Sequence, residues 1–295
     1  MLTPWLDADG ARSRLREWSE ASGLDLLRLG TEGDADELRD TAITQPLIVA
    51  CSLLGYERLR DRTELPAETP VAGHSVGELA AAAIAGVLQP GEAVALAAVR
   101  GSEMAKACAA EPTAMAAVML GEPEEVVRWL ADNDLVAANR NGAGQIVASG
   151  PVAAIERIVA APLTGTKVRA LQVAGAFHTP YMAPASDALR EHAARITPGD
   201  PQRPLLSNAD GAVVDSGAEY LERLLTQVTN PVRWDLTMDT LASLGVRETV
   251  ELPPAGTLTG LVRRQLKGTV TSTVALKTPT ELDSWAGARE AETGS

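Results

Sequence analysis

Residues 73–77, with the sequence GHSVG, have the types and spacing of a serine nucleophile on a sharp turn. In the pattern G-x-S-x-G, the serine follows a strand and opens a helix, and the glycines let the chain approach itself closely. The helix then points its first N–H groups at a developing oxyanion. The sequence predicts a strand over 70–73 and a helix over 78–88. This context favours a catalytic Ser75 over a turn with a purely structural role.

A serine nucleophile needs a base, and the chain offers three histidines. His74 adjoins Ser75, so its side chain should point away, and His192 lies on a predicted amphipathic surface helix. His178 lies in a loop after a predicted strand, where α/β sheets place catalytic groups, and we predict that it is the base. The residues leave the third partner open, because either Asp210 or a backbone carbonyl could orient the imidazole.

Arg100 lies after an apolar run on a helix predicted over 92–110. A Pro-Gly pair separates this helix from the one that follows Ser75, so the second helix returns toward the serine. About nine residues at ~1.5 Å each bring Arg100 back by roughly 13 Å. A guanidinium there would bind a carboxylate through two hydrogen bonds. From the residues alone, a structural ion pair with Glu78 or Glu103 explains Arg100 equally well.

Composition narrows the function classes further. The 295 residues are 45% hydrophobic, which allows a sizeable core, and the net charge is −13. This charge argues against nucleic acid and anionic membranes as partners, because both require basic patches. Cys51 and Cys108 belong to no C-x-x-C pattern, so we expect two buried free thiols in a reducing compartment. We see no signal peptide and no apolar run of membrane-spanning length, and therefore expect a cytoplasmic protein.

The order of predicted elements divides the chain into two subdomains. Residues 113–172 give the pattern β-α-β-β-α-β, which is typical of a ferredoxin-like fold. This pattern interrupts an alternation of strands and helices over 1–112 and 173–295, so we predict a ferredoxin-like subdomain inserted in a larger α/β subdomain. The polar tail from residue 286 is predicted to fray.

Several segments in this order resemble the malonyl-CoA:acyl carrier protein transacylases and the acyltransferase domains of polyketide synthases. The resemblance runs from Leu2 to about Leu282 and is closest to discrete actinobacterial enzymes. It implies an α/β-hydrolase-like large subdomain with the ferredoxin-like insert. The segments are GHSVGE at 73–78, RGSEM at 100–104, NRNG at 139–142, VASG at 147–150, GAFH at 175–178, QVTNPVRW at 227–234 and GTLTGL at 256–261.

The resemblance implies a role for each candidate residue. Ser75 would carry the malonyl group as an ester, with His178 as the base. The backbone carbonyl of Gln227 would orient His178 in place of an acid. The Val76 N–H would be one oxyanion donor, and Arg100 would bind the malonyl carboxylate.

Four further residues would bind substrate. Phe177 resembles the residue that narrows the family's pocket to malonyl rather than methylmalonyl groups, and Met104, Asn141 and His74 would line the pocket. The resemblance implies a monomer that uses malonyl-CoA and then an acyl carrier protein, whose phosphopantetheine thiol accepts the malonyl group. No metal or other cofactor is implied.

Two departures from the family leave alternatives open. The family opens with an apolar strand and a Gly-Gln-Gly loop that supplies a second oxyanion donor, and this sequence shows neither, so we expect a start upstream. Residues 253–255, Pro-Pro-Ala, replace a Gly-rich turn. The alternatives are an acyl hydrolase or thioesterase with the same Ser-His pair, and an impaired, truncated homologue that only binds carrier proteins.

Overall fold

The computed structural model describes residues 1–173 and 175–293. The helices are α1 Ala11–Ser22, α2 Leu26–Glu32, α3 Thr41–Arg62, α4 Gly77–Ile84, α5 Pro90–Ala110, α6 Pro123–Asp132, α7 Val152–Ala160, α8 Ala183–Ala193, α9 Gly217–Gln227, α10 Trp234–Ser243, α11 Thr257–Gln265 and α12 Pro279–Thr293. The strands are β1 Thr113–Met119, β2 Val136–Arg140, β3 Gln145–Pro151, β4 Lys167–Ala170, β5 Val232–Arg233, β6 Glu248–Glu251 and β7 Ser272–Ala275.

The segment from β1 to β4 forms an antiparallel sheet that two helices cover. The strand order is β4-β1-β3-β2, and α6 and α7 bury their apolar faces against the sheet. Leu130 of α6 and Ile155 of α7 are buried beside Ile146 of β3. The amphipathic period of the helices and the alternation of the strands explain this packing. The segment therefore has the β-α-β-β-α-β order of elements that the sequence predicted.

The sheet of this insert continues into the large subdomain. Strand β5 follows α9 and pairs in parallel with β2, so that Asn139 lies beside Val232. The edge of the insert is thereby covered by a strand from the other subdomain. The sequence did not predict this strand, because two residues carry no recognisable alternation.

The large subdomain is dominated by helices around α5. This helix is buried among α1, α3, α4 and α8, and Gly101 lets α3 approach closely, since a Cβ there would lie 2.4 Å from the Thr41 carbonyl oxygen. Strands β6 and β7 form a parallel pair. The strand predicted over 70–73 appears only as an isolated bridge, in which Val71 pairs with Leu205 in parallel. The mixed α/β fold class is confirmed.

Two predicted boundaries are wrong. The helix after Ser75 was predicted over 78–88, but α4 ends at Ile84. The tail was predicted to fray from Ala286, but this residue is buried within α12. Residues 294 and 295 lie outside the described part. Among the described helices, none has both the length and the apolar character needed to cross a membrane.

Candidate active site

Ser75 occupies a sharp turn between the Val71 bridge and α4. Its φ is +52°, which is strained for a residue with a side chain. Gly73 is required because a Cβ there would lie 2.1 Å from the carbonyl atoms of Gly77. The side chain of Asn208 holds the turn, since its oxygen accepts the Ser75 N–H at 2.7 Å and its nitrogen donates to the Gly73 carbonyl at 2.8 Å. This is the geometry of a nucleophile elbow.

His178 faces Ser75 from the loop after β4. Its Nε2 lies 2.7 Å from Ser75 Oγ, and its Nδ1 lies 2.9 Å from the backbone oxygen of Gln227. Because a carbonyl only accepts hydrogen bonds, Nδ1 must carry the proton, which leaves the lone pair of Nε2 facing the serine hydroxyl. Asp210, the other candidate orienting group, instead accepts from Arg223 at 2.7 Å.

The imidazole is a neutral base in this environment. His178 is buried, and burial together with the positive charge of Arg100 lowers its pKa from 6.5 to about 3. The backbone carbonyl carries no full charge, so it orients the ring without the large rise in pKa that a carboxylate would cause. His178 can therefore accept the Ser75 proton throughout the neutral pH range.

Arg100 reaches Ser75 from α5, as the return of the helix predicted. Its Nη2 donates to Ser75 Oγ at 3.1 Å and to Gln227 Oε1 at 2.7 Å, and its Nη1 donates to Gln45 Oε1 at 2.5 Å. Burial lowers its pKa to about 10, so the guanidinium stays charged at neutral pH. All its neighbours in these contacts are neutral, so its charge is available to an anionic ligand.

The structural ion pairs considered for Arg100 are not formed in the described part of the chain. Glu103 pairs with Lys106 on the exposed side of α5. The amide of Gln227 lies between Glu78 and the guanidinium, accepting from Arg100 and donating to Glu78. The carboxylate of Glu78 is therefore separated from the Arg100 guanidinium by the Gln227 amide.

A cavity of about 390 Å³ opens beside Ser75. Arg100 and His178 contribute polar groups to its lining, and Met104 and Phe177 contribute apolar side chains. Val76 lines it too and directly precedes α4. The next two N–H groups, those of Gly77 and Glu78, donate to the His74 and Ser75 oxygens, so the Val76 N–H is the candidate oxyanion donor. The cavity thus combines a serine hydroxyl, an imidazole and a guanidinium. Its other lining residues are Leu38, Arg39, Thr41, Thr44, Gln45, Gln172 and Val173.

His74 and Asn141 lie apart from this cavity. His74 Nε2 is 2.9 Å from Asn141 Oδ1, and its ring packs edge-on against Trp234 with centroids 5.6 Å apart. Neither residue is among those lining the cavity. Their contact connects the Ser75 turn to β2 of the insert, and their part in substrate binding stays a prediction.

Two polar side chains of the site, Gln45 and Asn208, were not predicted from the sequence, and Glu78 was considered only as an ion-pair partner of Arg100. All three are buried. Gln45 is a polar residue in an otherwise apolar helical stretch, and that is the signal that could have identified it. Asn208 lies in a loop rich in turn-forming residues, so its type alone gives no such signal.

Within residues 1–173 and 175–293, no group of three or more His, Cys, Asp or Glu side chains is arranged to hold a metal ion.

Comparison with known proteins places the chain in a family. Residues 10–283 match the acyl transferase domain family. The chain is 54% identical over 290 residues to the malonyl CoA-acyl carrier protein transacylase of Mycolicibacterium smegmatis, covering 96% of this chain and 98% of the relative. The crystal structure of MCAT from Mycobacterium tuberculosis superimposes with a TM-score of 0.91 at 51% identity, over 97% of this chain and 94% of that one.

A third structure contains a carrier protein. It is PlMCAT:AntF, a type II PKS acyl-carrier protein in complex with its malonyl-transacylase, with a TM-score of 0.89 and 28% identity over 98% of this chain and 94% of that one. The chain therefore belongs to the acyl transferase domain family, in the group of the malonyl CoA-acyl carrier protein transacylases.

Proposed function

We propose that this protein transfers a malonyl group from malonyl-CoA to the phosphopantetheine thiol of an acyl carrier protein, through an ester on Ser75. The observation that carries this proposal is that Ser75 Oγ lies within hydrogen-bond distance of both a neutral base, His178, and a buried cation, Arg100. A base is needed for any acyl transfer, whereas the cation suits an acyl group that ends in a carboxylate.

The first half-reaction acylates the enzyme. His178 Nε2 takes the hydroxyl proton while Ser75 Oγ attacks the thioester carbonyl, and the Val76 N–H stabilises the oxyanion. When the carbon–sulfur bond breaks, His178 returns the proton to the departing CoA sulfur. The products are free CoA and a malonyl ester on Ser75.

The second half-reaction uses the same groups in the opposite direction. His178 takes the proton from the phosphopantetheine thiol, whose sulfur attacks the malonyl ester. As the ester bond breaks, Ser75 Oγ regains a proton from His178, and the malonyl group leaves as a thioester of the carrier protein. Every proton in these steps is moved by His178, so we propose that no metal or redox cofactor takes part.

The shape and charge of the cavity support a malonyl group as the cargo. Arg100 would bind its carboxylate through two hydrogen bonds, with Gln45 and Gln227 holding the guanidinium in place. Phe177 and Met104 line the wall and would limit the space beside the methylene carbon, which favours malonyl over methylmalonyl groups.

We place the reaction in the cytoplasm, in fatty-acid or polyketide synthesis, and propose a monomer. Free Cys51 and Cys108 support a reducing compartment. The net charge of −13 argues against nucleic acid and anionic membranes as partners.

The test follows the acyl group. The protein is mixed with malonyl-CoA, the Ser75 peptide is examined for a malonyl adduct by mass spectrometry, and holo carrier protein is then added. We expect the adduct to form and move to the carrier, with little free malonate released. Ser75→Ala should form no adduct, whereas Ser102→Ala, a matched serine outside the cavity, should behave like the parent.

Two results would contradict the proposal. Free malonate as the main product in the presence of holo carrier protein would identify a hydrolase. An adduct on Ser75→Ala would show that another residue is the nucleophile.

A further inference from the structure

The side-chain amide of Gln227 separates an anion from a cation within the site. Its Nε2 donates to the backbone oxygen of Ser75 at 3.1 Å and to the carboxylate of Glu78. Its Oε1 accepts from Arg100 Nη2 at 2.7 Å. Gln227 is buried, so all of these hydrogen bonds lie away from solvent.

Only one orientation of this amide satisfies its neighbours. An ionised carboxylate and a backbone carbonyl only accept hydrogen bonds, whereas a guanidinium only donates them. The nitrogen of Gln227 must therefore face Glu78 and Ser75, and the oxygen must face Arg100. If the amide turned over, its N–H groups would face the donors of the guanidinium and its oxygen would face the acceptors of Glu78 and Ser75, so buried groups would be left unpaired on both sides.

Glu78 is itself fixed in place by its other oxygen. Its Oε1 accepts the Asn208 N–H at 2.7 Å and the Tyr220 hydroxyl at 3.3 Å, and the residue lies in the first turn of α4 with 2% of its surface exposed. Burial raises its pKa to about 7, so the carboxylate is ionised above that pH, and the hydrogen bonds from Asn208, Gln227 and Tyr220 favour this ionised form. Both oxygens of the Glu78 carboxylate therefore accept hydrogen bonds. The Gln227 amide connects this carboxylate to the Arg100 guanidinium.

We infer that Glu78 is a positioning residue for selection of the acyl group: it fixes the Gln227 amide so that its oxygen holds Arg100 toward the carboxylate of the substrate. The inference rests on the proposed function, because it takes Arg100 as the group that binds that carboxylate. It assigns Glu78 no contact with substrate and no proton transfer.

The test is the ratio of kcat/KM for malonyl-CoA to that for acetyl-CoA, measured as release of CoA during acylation of Ser75. Glu78→Gln keeps the shape but removes the charge and can itself donate a hydrogen bond, so residue 78 no longer requires the Gln227 nitrogen on its side and only Ser75 and Arg100 still orient the amide. We expect malonyl acylation to fall by about 10- to 100-fold, the range for hydrogen bonds to charged groups, and acetyl acylation to fall much less.

Tyr220→Phe is the matched control. It removes a hydrogen bond from the same buried carboxylate, but on the oxygen that faces away from Gln227. It should therefore change stability without changing the ratio. A merely structural role for Glu78 predicts that both variants lower the two activities together.

Gln227→Met provides a second route to the same result, should Glu78→Gln fail to fold. It keeps the backbone carbonyl that orients His178 but removes the amide, so the ratio should again fall. An unchanged ratio in either folded variant overturns the inference while leaving malonyl transfer by the parent intact. A parent that transfers no malonyl group overturns both the inference and the proposed function.

Discussion

Ser75 Oγ lies between His178, the base, and Arg100, the cation, and different kinds of atoms hold these two residues in place. On the side of the base, the partner of His178 is the backbone oxygen of Gln227. On the side of the cation, the partners of Arg100 are the side chains of Gln45 and Gln227. No substitution removes a backbone carbonyl, whereas both amides can be replaced. We therefore expect the acid–base chemistry to be fixed by the path of the chain, and the choice of acyl group to be set by replaceable side chains.

The two sides also treat charge differently. His178 is neutral and borders a neutral carbonyl, so its lone pair is available without competition from a carboxylate. Arg100 is charged and is surrounded by neutral amides, so no ion pair must break when a carboxylate binds. A serine enzyme that had the base but lacked the buried cation would react with acyl groups without preferring an anionic one.

Removal of the base should produce the largest effect. We expect His178→Ala to lower kcat/KM for malonyl-CoA and for acetyl-CoA alike, by roughly 10²–10⁴-fold, because general-base catalysis serves every acyl group. Steady-state rates with both substrates check this. His192→Ala, which removes a histidine from the outer helix α8, should leave both rates unchanged. A loss confined to malonyl-CoA would show that the two sides are not separate.

Removal of the cation should produce a smaller and selective effect. In Arg100→Ala, the malonyl carboxylate is buried without a partner, which costs on the order of 2–5 kcal/mol, so malonyl acylation should fall by ~10²-fold or more. Acetyl-CoA has no carboxylate, and its acylation should fall far less. The measurement is the ratio of the two kcat/KM values on a folded variant.

The control for Arg100 is Lys106→Ala, which removes an exposed cation from the same helix. It should leave the ratio unchanged. If Arg100→Ala also leaves it unchanged, Arg100 does not select the acyl group. If both activities disappear together with a lower melting temperature, Arg100 is a structural residue.

The smallest expected effect concerns pH and stability. The folded state keeps His178 neutral because burial lowers its pKa to about 3, whereas the unfolded chain protonates this histidine near 6.5. The unfolded state thus binds more protons between these values, so stability falls as pH falls through this window. In urea unfolding, the free energy of unfolding of the parent should fall by about 1 kcal/mol more than that of His178→Gln when the pH is lowered from about 7.5 to about 5.5.

His192→Gln is the matched control for this effect, since burial lowers the pKa of His192 but leaves the side chain partly accessible. His192→Gln should reduce the pH dependence of the free energy of unfolding less than His178→Gln does. Equal pH dependence in the parent and His178→Gln would contradict a neutral, buried base.

The sequence predicted the parts of the site that leave a local pattern. Ser75 follows from its glycine spacing, and His178 from the poor placement of the other histidines. The position of Arg100 follows from helix geometry alone. The insert was predictable because the period of its strands and helices is regular. The isolated bridge at Val71 was predicted as a strand, because an apolar run does not reveal how many partners the segment has.

The parts that were not predicted depend on contacts between distant segments. Gln45 and Gln227 meet at Arg100 from α3 and α9, and nothing in either segment specifies the other. Asp210 was considered as the acid that orients His178, but its carboxylate instead accepts a hydrogen bond from Arg223. A backbone carbonyl that replaces an acid leaves no trace in residue types, so the residues left it as one of two options, and the resemblance implied that it belongs to Gln227.

Strand β5 has a consequence for exchanging parts between related proteins. It pairs with β2 of the insert, and the Arg233 N–H donates to the backbone carbonyl oxygen of Asn208 at 2.7 Å. Asn208 in turn holds the turn that carries Ser75. The insert is therefore not an interchangeable module bounded by its own ends. A chimaera that replaced residues 113–172 would have to preserve the register of Asn139 with Val232, or the position of the nucleophile would shift with the graft.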